Sequence, residues 1–136
     1  MLRDILDSVA EKLEEHGVEG VYTAFDAQPM DHKQSGIITI VGIGDFESST
    51  PIYSQYTVYL PFTAELELKL TAPEGYSMEQ LYEYYDGNIF PVVSELSGMT
   101  CRLVKMSIKF DSNIQRLVLS VRLKASGITR IERSAE

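Results

Sequence analysis

The chain has 136 residues, 44% of them hydrophobic and 24% charged, with one cysteine and a net charge of −8. That is the commonest size of a single domain, long enough to bury a core without a disulfide or a metal. It has no apolar run of the ~18–20 residues that span a bilayer, and its overall acidity argues against general nucleic-acid binding, which needs clustered Lys and Arg.

Leu2, Ile5, Leu6, Val9 and Leu13 fall at helical steps, with Asp4, Asp7, Glu11, Glu14 and Glu15 between them and Gly17 as a stop. The spacing predicts an amphipathic helix over 2–16, packed on a sheet. Met1-Leu2-Arg3-Asp4 reaches an acid at once and holds no signal-peptide core, so the expected setting is intracellular. Residues 18–26 and 36–43 read as strands rich in Val, Ile, Thr and aromatics. Polar loops are expected over Asp26–Ser35 and Gly44–Ser54.

From Val58 to Leu70 every even position is apolar and the odd ones run Tyr59, Pro61, Thr63, Glu65, Glu67, Lys69. Such alternation predicts a strand of about 43 Å, more than twice the usual length, bent over the core or projecting as a hairpin arm. Pro61 cannot donate to a ladder, which predicts an edge strand or a bulge. Ser77 and Gln80 are placed as a capping box. The helix that follows carries Leu81, Tyr85, Ile89, Val92 and Leu96, with a kink expected near Asn88 because of Pro91. A final hairpin pairs Val104, Met106, Ile108 and Phe110 with Leu117, Leu119, Val121 and Leu123 around Asp111-Ser112-Asn113. Its outward residues are Lys105, Lys109, Arg116, Arg122 and Lys124, and residues 125–136 read as a polar tail. The element order predicts one α+β domain, 1–136, with two helices on one face of a mainly antiparallel sheet.

No motif for chemistry survives inspection. His16 and His32 have no nucleophile placed beside them, and Cys101 with two separated histidines lacks zinc spacing. Cys101 begins an apolar pattern and reads as a small core residue. Gly42-Ile43-Gly44 lacks the third glycine and the helix of a dinucleotide loop. The expectation is a non-enzyme with no cofactor and no metal. Eight tyrosines and no tryptophan is a skewed choice. Tyr82 and Tyr85 are expected on the core side of the second helix and Tyr84 on its polar side. Tyr53, Tyr56 and Tyr59, on a loop and the outer face of the long strand, are expected to form a protein contact.

Charge is unevenly spread. Residues 1–99 hold four basic and seventeen acidic side chains, residues 100–136 eight and three. Opposite signs on one chain suit head-to-tail association or a polar partner, or serve as solvated surface.

The order of elements resembles that of the tail-terminator (tail-completion) proteins of long-tailed phages, most closely from Tyr53 to Tyr85, where the long strand runs through Ala72-Pro73-Glu74-Gly75 into a Tyr-rich helix. The resemblance implies a hexameric ring of this chain that caps a tail tube and meets the head connector, assembled in the cytoplasm and carried in the virion tail, with DNA passing its lumen. Candidate interface residues are Tyr53, Tyr56, Tyr59, Glu65, Glu67, Lys105, Lys109, Arg116, Arg122 and Lys124. Two other readings stay open: a generic protein-binding adaptor, and a nucleic-acid or ligand binder using Arg102 with the same basic residues.

Overall fold

A computed structural model describes residues 2–18, 20–23, 36–96, 98–113 and 115–132. Helix α1 (Leu2–Glu15) buries Ile5, Leu6, Val9 and Leu13 along one side. Gly17, at φ +96°, ends it: the Val18 amide donates to the Leu13 carbonyl at 3.0 Å and the Gly17 amide to that of Glu14 at 3.0 Å. This is a Schellman closure, in which a residue without Cβ takes the left-handed position and Val18 packs back beside Leu13.

The sheet contains β1 (Val21–Thr23), β2 (Ile38–Ser48), β3 (Ile52–Tyr53), β4 (Thr57–Pro73), β5 (Met99–Asp111) and β6 (Arg116–Glu132). Their spatial order is β1-β2-β4-β6-β5, with β3 on β4. Only the β1–β2 pair is parallel. This is the expected α+β architecture, with helices on one face, but the expected single long strand is matched by a second: β4 and β6 are 17 residues each. Of the predicted strand 18–26, Val21–Thr23 form β1 and Val18 instead closes α1, while residues 19 and 24–26 and the predicted loop 26–35, with His32, lie outside the described residues.

Several expectations need correction. β4 is central rather than an edge, paired with β6 over its whole length. Pro61 is tolerated because its missing N–H points to the side where β2 has ended at Ser48 and β3 has not begun, and where its carbonyl accepts from the Ser49 amide at 2.8 Å. β2 does not stop at Ile43 but continues to Ser48 through a bulge in which Gly44 and Asp45 together oppose Glu65. The extra residue turns Asp45 outward and Phe46 inward, where its ring stacks on Phe62 at 5.5 Å. A Cβ at position 44 would lie 2.7 Å from a Glu67 carboxylate oxygen, so a larger residue there would need that side chain to swing aside. β5 carries a second bulge at Val104, so the inward face runs Met99, Cys101, Leu103 and then Met106, Ile108, Phe110. The predicted tail from 125 is strand through Glu132; residues 133–136 lie outside the described set.

Helix α2 (Met78–Tyr84) opens on the predicted box: the Gln80 amide donates to Ser77 Oγ at 3.1 Å and the Ser77 amide to Gln80 Oε1 at 2.8 Å. Instead of a kink, a π-helical turn over Tyr85–Ile89 leads into α3 (Phe90–Val93), with Pro91 in its first turn. The wide turn absorbs the amide that proline lacks. It also holds the buried stripe at steps of four, Leu81, Tyr85, Ile89, Val93, so Val93 rather than Val92 is fully inside. The stripe packs with α1 on Leu66, Leu68, Leu70 and Ala72 of β4 and on Leu117, Leu119, Val121, Leu123 and Ala125 of β6.

Candidate interaction surface

β2 ends opposite Phe62 and β5 begins opposite Gly127. Beyond those points Thr57–Pro61 of β4 and Ile128–Glu132 of β6 run on as a two-stranded arm, flanked by β3. The β3–β4 turn is closed by Ser54, whose amide donates to the Thr57 carbonyl at 2.8 Å and whose hydroxyl accepts from the Thr57 amide at 3.2 Å. Tyr56 sits at the tip of this turn. The arm keeps large apolar groups in water: Tyr53 is 68% exposed, Tyr56 58%, Ile128 57% and Ile52 56%. Ile52 and Ile128 lie on the same face of the arm as Tyr59, and Tyr53 lies on the other face with Ile131, so both faces present apolar side chains. Tyr59, cross-strand from Ile52 and Arg130, is half-buried.

The other candidate residues lie on the sheet face away from the helices, and all but one of them reach solvent. Glu65 and Glu67 stand beside Lys124 and Arg122 across the β4–β6 ladder. Arg122 Nε meets Glu65 at 2.9 Å and Nη2 meets Glu67 at 3.9 Å. Both partners are partly exposed, so the pairs contribute no more than about 1 kcal/mol each. Lys105 and Lys109 are exposed on β5 with Arg102. A shallow dish on this face is lined by Glu67, Lys69, Lys105, Ser107, Ser120 and Arg122.

Arg116 does not belong to that surface. It is fully buried, its Nε donating to Thr71 Oγ1 at 3.0 Å and its Nη2 to the carbonyls of Thr71 at 3.0 Å and Gly36 at 2.8 Å. Alternation on β6 placed it with Arg122 and Lys124, and it does share their side of the sheet. What period-two reading could not supply is the chain arriving at Gly36 to cover it. Desolvation pulls its pKa below the ordinary guanidinium value.

Tyrosine assignments divide. Tyr85 is buried as expected, whereas Tyr82 is exposed and Tyr84 is half-buried against the core. The Tyr85 hydroxyl is buried without a hydrogen-bond partner among the described residues, and its pKa is raised by burial first and by Asp86 second. The arm's aliphatic members, Ile52, Ile128 and Ile131, were missed from the sequence. The run Ile128-Thr129-Arg130-Ile131 has the β-branched composition that could have signalled a strand there.

His16 is exposed at the end of α1. Among the described residues no three His, Cys, Asp or Glu side chains gather closely enough to hold a metal, and no helix is long and apolar enough to cross a membrane. Cys101 is half-buried on the core side of β5, and burial raises its thiol pKa. Its thiolate fraction at a given pH is therefore below that of an open cysteine. A disulfide reagent at pH 8 is expected to modify Cys101 more than about tenfold slower in the folded protein than in urea. Equal rates would place the thiol in solvent.

The fold of this sheet and its helical layer is shared with known structures. The particular likeness is to the sheath/tube terminator of an extracellular contractile injection system (PVC) in its extended state, with a TM-score of 0.54 and 11% identity; it covers 96% of this chain and 57% of that one. A chain of the virion of a native gene transfer agent particle matches at a TM-score of 0.53 and 9% identity, over 92% of this chain and 95% of that one. This chain thus spans little more than half the length of the terminator it matches, and at these identities the likeness is one of fold. No family model matches the sequence, and no curated protein does.

Proposed function

We propose that the chain is a non-catalytic assembly subunit that forms a ring, hexameric in the reading made from the sequence, at the end of a phage-like tail tube and joins it to the head connector. The observation that carries this reading is the fold shared with a sheath/tube terminator across 96% of the chain. The apolar arm supports it by supplying a contact surface for a tube protein, with Tyr53, Tyr56 and Tyr59 as its tyrosines. Assembly takes place in the cytoplasm and the product stays in the tail. DNA crosses the ring without specific binding.

The test is to delete the coding sequence in the particle-producing host and measure tails by electron microscopy. Overlong, headless tails are expected; tails of normal length bearing heads would refute the reading. Tyr56→Asp is expected to give the same defect with the fold intact, because it would bury a charge in the contact. Salt-sensitive retention of the isolated protein on DNA would favour the nucleic-acid binder instead.

A further inference from the structure

The sheet order leaves β1 at one edge and β5 at the other, four strand spacings or about 19 Å apart. The two edges carry opposite free charge. Along α1, which packs over the β1 edge, Asp7 is engaged by Arg3 at 3.7 Å and Glu15 by Lys12 at 3.4 Å. Glu11 and Glu14 are exposed and have no cationic partner among the described residues. They border a groove completed by Asp7, Ala10, Val21 and Tyr22. At the other edge Arg102, Lys105 and Lys109 are exposed on β5, again without an ionic partner among the described residues. The nearby acids Glu65 and Glu67 are occupied by Arg122.

The free acids sit in the helical layer and the free bases on the opposite sheet face. One molecule cannot bring them together; a second copy can. We infer that subunits associate head to tail, the acidic outer face of α1 on one copy seated against the basic β5 face of the next. Two different patches make this contact heterologous, so it propagates from copy to copy and gives a ring where the rotation between neighbours closes. A two-fold contact using either patch alone would set like charges against each other. The inference rests on the ring proposed above and names the surfaces that build it. It moves the interface away from Glu65, Glu67, Arg116 and Arg122, which are engaged within the subunit.

The experiment is a charge swap read by light scattering after size exclusion, at low ionic strength where the Debye length exceeds about 10 Å. Lys105→Glu/Lys109→Glu and, separately, Glu11→Lys/Glu14→Lys are expected to weaken self-association more than about a hundredfold, leaving the 15.3 kDa monomer. An equimolar mixture of the two variants is expected to regain the wild-type mass, because each then meets its complement. All four positions are exposed, and circular dichroism confirms that each variant is folded. Assembly of either variant like wild type, or a mixture that stays monomeric, overturns this contact but leaves the ring reading intact. A wild-type protein that remains monomeric at every attainable concentration overturns the contact too, while tail length in the deletion strain decides the terminator reading separately.

Discussion

Replacing Arg116 by methionine is expected to cost the fold about 3 kcal/mol, and with it on the order of 10 °C in melting temperature. The aliphatic stem can be replaced, but the fork cannot. Among the described residues, hydrogen bonds from this one charged group to the hydroxyl and carbonyl of Thr71 and the carbonyl of Gly36 tie the chain entering β2 to β4 and β6. Methionine leaves the two buried oxygens of Thr71 and the part-buried carbonyl of Gly36 without that donor, a penalty of about 1–3 kcal/mol for each buried group that finds no other partner. Arg116→Lys keeps the charge but offers a single point in place of a planar fork, so it should recover less than half of the loss. Urea unfolding followed by circular dichroism measures both. A change within about 0.5 kcal/mol would mean that Arg116 sits in solvent, the placement alternation alone predicts.

The second large effect lies on β4, where neighbouring residues serve opposite faces. Leu68 is fully buried, cross-strand from Val41 on β2 and Val121 on β6. Leu68→Ala is expected to cost about 3–5 kcal/mol, the lost transfer energy plus a cavity held open by a sheet that cannot collapse. Glu67→Ala, one residue earlier on the outer face, removes only a 3.9 Å contact with Arg122 and should cost no more than about 1 kcal/mol. The same unfolding experiment compares them. Equal losses would mean that the two faces of β4 are not what its alternation implies.

Features set by local pattern were legible in the sequence. Helix α1 followed from its three–four spacing and Gly17, the start of α2 from the Ser77–Gln80 box, and β4 from thirteen alternating residues. Features created by a partner strand were not. The bulges at Gly44-Asp45 and Val104 each insert a residue that breaks alternation, so pattern alone ends β2 five residues early. It also puts Val104 on the inward face of β5 where Leu103 belongs, while Met106, Ile108 and Phe110 fall inward as expected. Pro61 signalled an edge because nothing local announces that the neighbour on one side changes from β2 to β3 beside it. Val93 displaced Val92 because a π turn adds a residue that helical spacing does not count. At the candidate surface, Tyr53 and Tyr56 were placed in solvent from their neighbours alone, whereas the burial of Arg116 depended on Gly36, eighty positions away.

Both bulges fall in the flanking strands. The β4–β6 ladder itself runs from Thr57↔Glu132 to Pro73↔Arg116 without a slip in register. The arm is thus the free end of a continuous strut whose longer remaining part runs through the core, not a tether hung from a hinge. A partner that grips its tip need not spend binding energy on ordering it. Tension on the tip, directed along the strands, would load the ladder in shear, with its hydrogen bonds sharing the force, and carry it to the end where Arg116 clamps β2, β4 and β6 together.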